Sequence, residues 1–318
     1  MPTRTHLTAA LRQRVLLADG AMGTMLQAAG LPPGTLPELW NRDEPERVRA
    51  VHRAYLAAGS DVILTNSFGG SSIKLARATP ANGSDAVTTN TLGGSRVKLE
   101  RAGLGEAAPE LCRLAAQLGR EAVGDGAYVF GSIGPTGELL SPLGTLSFDE
   151  ARDAFAEQAA ALAEGGADAI LVETMSDVEE ARAAIQGAHA GCSLPVICTF
   201  SFDRGRRTMM GVGAQQVAGL WDEGLLAIGA NCGRSLEDTL AVITDLHALL
   251  PDAWLMAKPN AGVASLGADG KTHFDVGPEG MAAFVPCYLE QGVRIIGGCC
   301  GSTPAHIRAI GSQMRCDP

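Results

Sequence analysis

The sequence has no run of about 18 apolar residues, which is roughly the length that a membrane-spanning helix needs. The segment Met1–Arg14 also lacks the apolar stretch of a secretory signal peptide. Positive charge is scarce, because 25 basic residues stand against 35 acidic ones and the formal net charge is −10. Nucleic acids and anionic membrane surfaces bind basic proteins, so the composition argues against both as partners.

The numbers of cysteine and apolar residues indicate the redox environment and the size of the core. Eight cysteines in 318 residues, without a secretory signal, indicate reduced thiols rather than a disulfide framework. We therefore expect a cytoplasmic protein. Hydrophobic residues make up 46% of the sequence and charged residues 19%, so the chain can bury a sizeable core.

Short β-branched segments alternate with longer alanine-rich amphipathic stretches, a pattern typical of βα units around a parallel sheet. The predicted strands are Val15–Asp19, Asp61–Asn66, Tyr128–Ile133, Ala169–Glu173, Pro195–Ser201, Ala227–Asn231, Trp254–Pro259 and Arg294–Gly298. The predicted helices are Pro45–Ala58, Ala107–Val123, Phe148–Gly165, Asp177–Ala190, Ala214–Glu223, Leu236–Leu250, Pro278–Gln291 and Pro304–Met314. This order predicts an α/β fold, a single (βα)8 TIM barrel over residues 1–318, with the active site at the carboxyl ends of the strands. A doubly wound open sheet is the competing architecture.

One internal repeat does not fit the strand count. The segment Asp61–Leu75 recurs as Asp85–Leu99, although a barrel has one position for its second strand. We place the first copy in the barrel, because it follows a helix directly and carries the more apolar residues, among them Ile63 and Leu64. The second copy is then predicted to form an inserted loop around residues 76–100.

Polar or glycine-containing segments follow seven of the predicted strands directly. They are Asp19–Thr24, Thr65–Gly70, Gly131–Gly137, Glu173–Asp177, Asn231–Gly233, Lys258–Gly262 and Gly297–Gly301. In a barrel of this kind, residues at the carboxyl ends of the strands face the mouth of the active site. Together these segments predict where the chemistry takes place.

The segment Gly297–Gly301 reads Gly-Gly-Cys-Cys-Gly. Cys299 and Cys300 would point in opposite directions on a regular strand, but the flanking glycines allow the backbone to bend so that both sulfurs converge. Cys232 ends the sixth predicted strand and therefore reaches the same face of the barrel. Three thiolates with an open fourth position are a ligand set for a catalytic zinc ion. Each cysteine taken alone could equally be a small buried hydrophobic residue.

Three thiolates would leave a zinc complex with a net charge of about −1, which makes it a poor Lewis acid for activating water. Such a centre instead suits a substrate thiol, which it can hold as a nucleophilic thiolate at neutral pH. The predicted reaction is alkyl transfer to a thiol. The alternative from another class is a redox protein with a Cys299–Cys300 disulfide, or a zinc protein without catalysis.

Seven short segments, spread over essentially the whole chain, carry a family resemblance. They are Asp19–Thr24, Thr65–Asn66, Gly134–Thr136, Glu173–Thr174, Asn231–Cys232, Pro259–Gly262 and Gly297–Pro304. These segments resemble those of the homocysteine S-methyltransferase family. The resemblance implies a (βα)8 barrel with zinc on Cys232, Cys299 and Cys300, and with the homocysteine sulfur as the fourth ligand.

The resemblance also implies how the amino acid is bound. Its carboxylate would meet the backbone of Gly20, Ala21 and Met22, while Asp19 and Glu173 would take its ammonium group. Backbone N–H groups of a glycine-containing turn can bind a carboxylate, and strand-end carboxylates can hold an ammonium group. Further substrate-binding residues implied by the same motifs are Thr24, Asn66 and Asn231, and Glu173 is counted with the three cysteines as catalytic.

Family members differ in their methyl donor. The segments Glu38–Asn41, Ser67–Gly70, Ser201–Asp203 and Arg207–Gly211 are more similar to bacterial betaine–homocysteine methyltransferases. A quaternary ammonium group is attracted to aromatic faces, so the candidates for a donor cage are Trp40 and Phe68, with Phe148 and Phe202 as further members. Packing in the core is the alternative for each of these rings.

Two observations bear on the other donors. Thr174 stands where the animal betaine enzymes carry a tyrosine, so S-methylmethionine and dimethylsulfoniopropionate are alternative onium donors. Cobalamin-dependent members carry folate and cobalamin modules on the same or a partner chain. This sequence ends soon after its eighth predicted helix, so we expect a donor other than methylcobalamin.

The sequence thus predicts zinc-dependent transfer of a methyl group from a small onium donor, with glycine betaine favoured, to the thiolate of L-homocysteine, giving methionine. Small-molecule substrates are the expected partners, without nucleic acid or membrane. Whether the chain forms a homo-oligomer stays open.

Overall fold

A computed structural model of the chain describes residues 5–32, 34–70, 107–267 and 272–316. The second copy of the internal repeat, and with it the predicted insert around residues 76–100, lies outside these described residues. The first copy is described as far as Gly70.

The strands in the described ranges are β1 (Leu16–Leu17), β2 (Val62–Leu64), β3 (Tyr128–Ile133), β4 (Ala169–Met175), β5 (Val196–Phe200), β6 (Ala227–Cys232), β7 (Leu255–Pro259), β8 (Ala264–Leu266), β9 (Thr272–Phe274) and β10 (Val293–Ile296). The α-helices are α1 (Leu7–Gln13), α2 (Gly23–Ala28), α3 (Trp40–Asp43), α4 (Pro45–Ala57), α5 (Ala108–Val123), α6 (Phe148–Glu164), α7 (Val178–Gly191), α8 (Ala214–Ala218), α9 (Leu236–Leu249), α10 (Pro278–Ala282), α11 (Val285–Glu290) and α12 (Pro304–Cys316). Two short 3₁₀ helices lie at Pro37–Leu39 and Trp221–Glu223.

Eight strands form one parallel sheet in the order β1-β10-β7-β6-β5-β4-β3-β2. A parallel bridge between Ala18 and Val62 joins β1 to β2 and closes the sheet on itself. The predicted (βα)8 TIM barrel is therefore confirmed. The first copy of the repeat supplies the second barrel strand, as predicted, since β2 pairs with β3 from Val62 to Leu64.

The strand alternation divides the core into two layers. Leu16 belongs to the same apolar cluster as Val62 and Ile295, whereas the neighbouring Leu17 packs into the cluster that contains the surrounding helices. Successive strand residues point to opposite faces, so the first cluster fills the inside of the barrel and the second lies outside it. Leu11 of α1 joins the inner cluster and closes the barrel at the amino ends of its strands.

Hydrogen bonds fix α1 in that position. Arg294, in β10, donates from Nε to the Leu11 carbonyl at 2.8 Å, and the Tyr128 hydroxyl at the start of β3 donates to the Thr5 carbonyl at 2.5 Å. Because the amino end is closed in this way, a site can open only at the carboxyl end.

Several helices begin at polar caps, which the sequence carries next to each apolar stretch. Ser147 Oγ accepts the Glu150 N–H at 3.2 Å, and the Glu150 carboxylate accepts the Ser147 N–H at 2.9 Å, which forms a capping box at the start of α6. Asp177 caps α7 and Ser235 caps α9 in the same position. These caps set the point at which each loop at the barrel mouth becomes a helix.

The structure differs from the sequence prediction in several places, and the helices α1, α2 and α3 were not predicted. The predicted helix Pro278–Gln291 is two helices, α10 and α11, because Pro286 in the first turn of α11 has no N–H and its ring clashes with the preceding helical turn. The predicted helix Ala214–Glu223 ends at Ala218. An antiparallel hairpin of β8 and β9, which was not predicted, follows β7. No helix among the described residues combines the length and the apolar character that membrane crossing requires.

Candidate metal centre and substrate cavity

The three predicted cysteines meet at the carboxyl end of the barrel. Cys232 ends β6, and Cys299 and Cys300 follow β10 directly. Their sulfur atoms all lie within 4.8 Å of one another, and the Cys232 and Cys299 sulfurs are 2.7 Å apart. Tetrahedral Zn–S bonds of about 2.3 Å place two sulfurs about 3.8 Å apart, so the Cys232 and Cys299 sulfurs would move apart by about 1 Å to share one ion. The arrangement therefore fits a metal centre with three sulfur ligands.

Backbone conformation turns these sulfurs toward one point. Cys232 has a φ of +55°, a left-handed conformation that is uncommon outside glycine. The loop after β10 is bonded to the end of β7: the Cys299 N–H donates to the Pro259 carbonyl at 2.8 Å, and the Cys300 N–H donates to Asn260 Oδ1 at 2.9 Å. These bonds hold the loop against the strand next to Cys232.

The β8–β9 hairpin covers part of the cysteine loop. Gly301 has a φ of +78°, and a Cβ atom there would overlap the ring of Phe274 at the end of β9. Gly301, the third glycine of the Gly-Gly-Cys-Cys-Gly segment, is thus required because the ring of Phe274 leaves no room for a larger residue. Sequence reasoning missed Phe274, because nothing in the short exposed hairpin marks it as part of the site.

Asn231 connects the centre to two neighbouring strands. Its Nδ2 donates to Thr174 Oγ1 at 2.6 Å and lies 3.5 Å from the Cys232 sulfur and 3.8 Å from the Cys299 sulfur. Its Oδ1 accepts the Thr174 N–H at 2.8 Å and the Thr199 hydroxyl at 2.7 Å. The amide predicted to bind substrate therefore has protein partners, and its N–H group near the sulfurs favours their thiolate form.

A buried ion pair lies beside the centre. Lys258 Nζ is 3.2 Å from Asp19 Oδ1, and the two side chains are 3% and 1% exposed. Asp19 Oδ2 also accepts the Leu64 N–H at 2.8 Å. Burial alone would lower the pKa of Lys258, but the negative charges of Asp19 and Glu173 outweigh burial and raise it. Lys258 is therefore an ammonium ion in the mouth of the barrel.

Glu173 lies near this pair at the end of β4. Its Oε1 accepts a hydrogen bond from the Ser132 hydroxyl, and the side chain is buried. Burial raises the pKa of Glu173 to about 7, while the nearby Lys258 charge acts in the opposite direction. The carboxyl group thus exchanges its proton near neutral pH, where a catalytic or binding carboxylate can respond to a ligand.

We expect Glu173→Gln to change how stability depends on pH in the metal-free protein. The pKa of Glu173 in the folded state, about 7, exceeds its unfolded value, so the folded state binds more protons and stability falls as pH rises from about 4 to 7. Glutamine has no proton to lose, and it keeps an acceptor for Ser132. The loss of unfolding free energy between pH 4 and pH 8 should shrink by about 3 kcal/mol.

Urea unfolding at both pH values measures this difference. Glu290→Gln, the same change at an exposed position, is the control and should leave the difference as in the wild type. Identical pH dependence in Glu173→Gln and the wild type would contradict the prediction.

The turn predicted to bind the carboxylate lies against the cysteine loop. The Ala21 N–H donates to Ser302 Oγ at 3.2 Å, and the Tyr55 hydroxyl donates to the Ala21 carbonyl at 2.8 Å. A Cβ at Gly20 would lie 2.6 Å from Ser302 Oγ, so glycine is needed for this close approach. Of the three predicted backbone donors, the Ala21 N–H already has a partner. Half-buried Met22 and Thr24 lie at the start of α2.

Three other predicted residues pack against protein groups of neighbouring segments. Asn66 Nδ2 donates to the Pro37 carbonyl at 2.7 Å and to Asn41 Oδ1 at 2.9 Å. Trp40 is buried, and the Arg47 guanidinium carbon lies 5.0 Å from its ring centroid. A Cβ at Gly134 would lie 2.6 Å from the half-buried ring of Phe68.

The barrel fold and the three-cysteine cluster together indicate a class of enzyme. A TIM barrel places its active site at the carboxyl ends of its strands, and three converging thiols there are the ligand set of a metal-dependent enzyme. The family model for homocysteine S-methyltransferases matches residues 16–81 and 77–314. The chain belongs to the homocysteine S-methyltransferase family. The prediction of an enzyme of this family is thereby confirmed.

Two methionine synthases are similar to this chain. The enzyme of Mycobacterium tuberculosis is 33% identical over 327 residues, and that of Mycobacterium leprae is 31% identical over 336 residues. Each alignment covers 98% of this chain but 25% of the relative. The chain therefore spans about a quarter of the length of these relatives.

Solved structures show the same fold. The homocysteine methyltransferase MmuM from Escherichia coli, in its metallated form, has a TM-score of 0.74 and 25% identity, covering 97% of this chain and 100% of that one. A methyltransferase from Methanosarcina mazei has a TM-score of 0.61 at 14% identity, covers 98% of both chains, and shares the fold. The barrel is thus common to both proteins.

Proposed function

We propose that the chain catalyses zinc-dependent transfer of a methyl group from a small onium donor to the thiolate of L-homocysteine, giving methionine. The observation that carries this proposal is the convergence of three sulfurs beside a buried carboxyl group and a buried ammonium group in one barrel mouth. A thiol-bearing amino acid offers a complementary group to each of these. Family membership supports the same substrate.

The residues present fit a zinc ion. Cys232, Cys299 and Cys300 would hold it, because thiolates are soft ligands that suit zinc and their spacing allows one ion. The relative from Escherichia coli is described as metallated. Held by these three thiolates, a zinc ion would stabilise a fourth, substrate sulfur as a thiolate near neutral pH.

The chain's own groups then bind and orient the amino acid. Glu173 accepts the ammonium group, and the family resemblance assigns the carboxylate to the Gly20–Met22 turn, in which the Ala21 N–H is already bonded to Ser302 Oγ. In the reaction the substrate thiolate attacks the methyl carbon of the donor. A new S–C bond forms while the bond from that carbon to the donor nitrogen breaks, and the electron pair of the broken bond stays on nitrogen. Glycine betaine, having lost one methyl group, leaves as dimethylglycine with a neutral tertiary amine nitrogen, and methionine is the product.

Glycine betaine is the donor we favour, on the similarity of four segments to bacterial betaine enzymes. Trp40 already faces the guanidinium of Arg47. Phe68 is therefore the stronger aromatic candidate of the two for a quaternary ammonium group, since it lies in the segment that follows the second strand. S-methylmethionine and dimethylsulfoniopropionate are the alternative onium donors.

Methylcobalamin is a second candidate donor. The relatives from Mycobacterium are methionine synthases, and this chain matches a quarter of their length. In such an enzyme the remaining three quarters could bind and present the donor.

The test is methionine formation from L-homocysteine by the zinc-loaded protein with each donor in parallel: glycine betaine, S-methylmethionine, dimethylsulfoniopropionate and methylcobalamin. We expect turnover with glycine betaine to exceed that with the other three, and to stop when a chelator removes the metal. Full activity of the metal-free protein would exclude the zinc mechanism. Zinc binding without methionine from any donor would favour a zinc protein without catalysis.

A further inference from the structure

Lys258 has binding capacity that the protein leaves unused. A lysine ammonium group has three N–H donors. One is directed to Asp19 Oδ1 at 3.2 Å, and the described part of the chain provides no other hydrogen-bond acceptor for Nζ. Because the side chain is 3% exposed, bulk water has little access to the remaining donors. Unused donors on a buried cation indicate a place for an anionic ligand.

The position of Lys258 relates this capacity to the metal centre. Lys258 lies in β7, between β6 and β10, and those two strands lead into the three cysteines. It is the direct neighbour of Asn231 in the β6–β7 register. An anionic group bound by Lys258 would therefore lie close to the sulfur of a thiol bound at the three-cysteine centre.

Asp19 and Glu173 have different capacities for a ligand. Both oxygens of Asp19 have partners, Lys258 on Oδ1 and the Leu64 N–H on Oδ2. Glu173 bonds to Ser132 through Oε1, and among the described residues no partner is recorded for Oε2. Glu173 can thus accept a ligand ammonium group directly, whereas Asp19 is occupied with holding the lysine.

We propose that Lys258 binds the carboxylate of the thiol substrate, with Asp19 as the positioning residue that fixes its ammonium group. This inference rests on the proposed function and specifies how the same site recognises its amino acid. Lys258 and Glu173 form a complementary pair for the two charged groups of an α-amino acid. The site then selects a thiol that carries a carboxylate over a simple aminothiol.

Three thiols separate the contributions in calorimetric binding to the zinc-loaded protein: L-homocysteine, 3-aminopropane-1-thiol, which lacks the carboxylate, and 4-mercaptobutyrate, which lacks the amine. Lys258→Met should weaken homocysteine and 4-mercaptobutyrate by roughly 10- to 100-fold, the range for losing a charge-assisted hydrogen bond. Binding of 3-aminopropane-1-thiol should stay as in the wild type. The carboxylate preference of the wild type is thereby lost.

Two further variants make the result decisive. Arg294→Met removes a positive charge from β10 at the opposite end of the barrel and should leave all three affinities unchanged. If Lys258→Met fails to fold, the double variant Asp19→Asn with Lys258→Met removes both charges of the pair and should show the same selective loss. Equal weakening of all three thiols, or unchanged homocysteine binding, would overturn the inference. Failure of every thiol to bind the wild type would instead overturn the proposed function.

Discussion

Replacing Cys232 by serine should abolish stoichiometric zinc binding and reduce methionine formation by more than about 100-fold. That factor is the upper end of the loss observed when a residue that only orients a metal ligand is replaced, and Cys232 is proposed as a direct ligand. Serine preserves the size of the side chain, but its hydroxyl stays protonated at neutral pH and is a poor zinc ligand. The change therefore tests the sulfur and not the packing.

Zinc content after dialysis against a weak chelator, measured together with the rate of methionine formation, checks this prediction. Cys287→Ser is the matched control, because Cys287 is a half-buried cysteine of α11 outside the cluster. Its zinc content and activity should equal those of the wild type. One zinc per chain and full activity in Cys232→Ser would show that the three sulfurs do not form the working site.

Asp19→Ala should destabilise the protein by about 3–5 kcal/mol, the usual cost of leaving one member of a buried ion pair without its partner. Lys258 would remain as a buried ammonium group, and the Leu64 N–H would lose its acceptor. Asp19, which follows β1, thus bonds to Lys258 of β7 and to Leu64 of β2. The loss should therefore appear in the cooperative unfolding of the whole barrel.

Urea denaturation gives the free energy of unfolding for this comparison. The control is Asp245→Ala, which removes a carboxylate from an exposed pair with Arg206 and should change stability by about 0.5 kcal/mol or less. Adding Lys258→Met to Asp19→Ala should recover part of the loss, since the unpaired charge is then removed. A cost for Asp19→Ala as small as that of the control would contradict a buried, charged pair.

The barrel and the cysteine cluster were accessible from the sequence for local reasons. Apolar residues recur with different spacing in strands and in helices. Eight alternations of a strand pattern with a helix pattern therefore predict the fold class. Cys299 and Cys300 are adjacent and flanked by glycines, and Cys232 ends another strand, so topology alone brings the sulfurs to one face. The inner and outer clusters of the core follow from the same strand alternation.

The features that the sequence did not reveal depend on contacts between distant residues. Lys258 and Asp19 are separated by 239 positions, and a single lysine at a strand end gives no indication of its partner. Trp40 was identified as an aromatic surface for a cation, but the cation beside it is Arg47 of the same chain. Phe274 lies in a hairpin of two three-residue strands, too short for a clear alternation.

The strand order also determines when a metal ion can be captured during synthesis. The ribosome releases Cys232 well before the last strand, β10, and the two cysteines that follow it. That strand lies between β7 and β1, where Ile295 pairs with Leu16 from the opposite end of the chain. A nascent chain therefore holds one thiol of the three until the final strand closes the barrel. A metal ion held by all three sulfurs would therefore be bound only after the last of these strands has been synthesised, and its binding would report completion of the barrel.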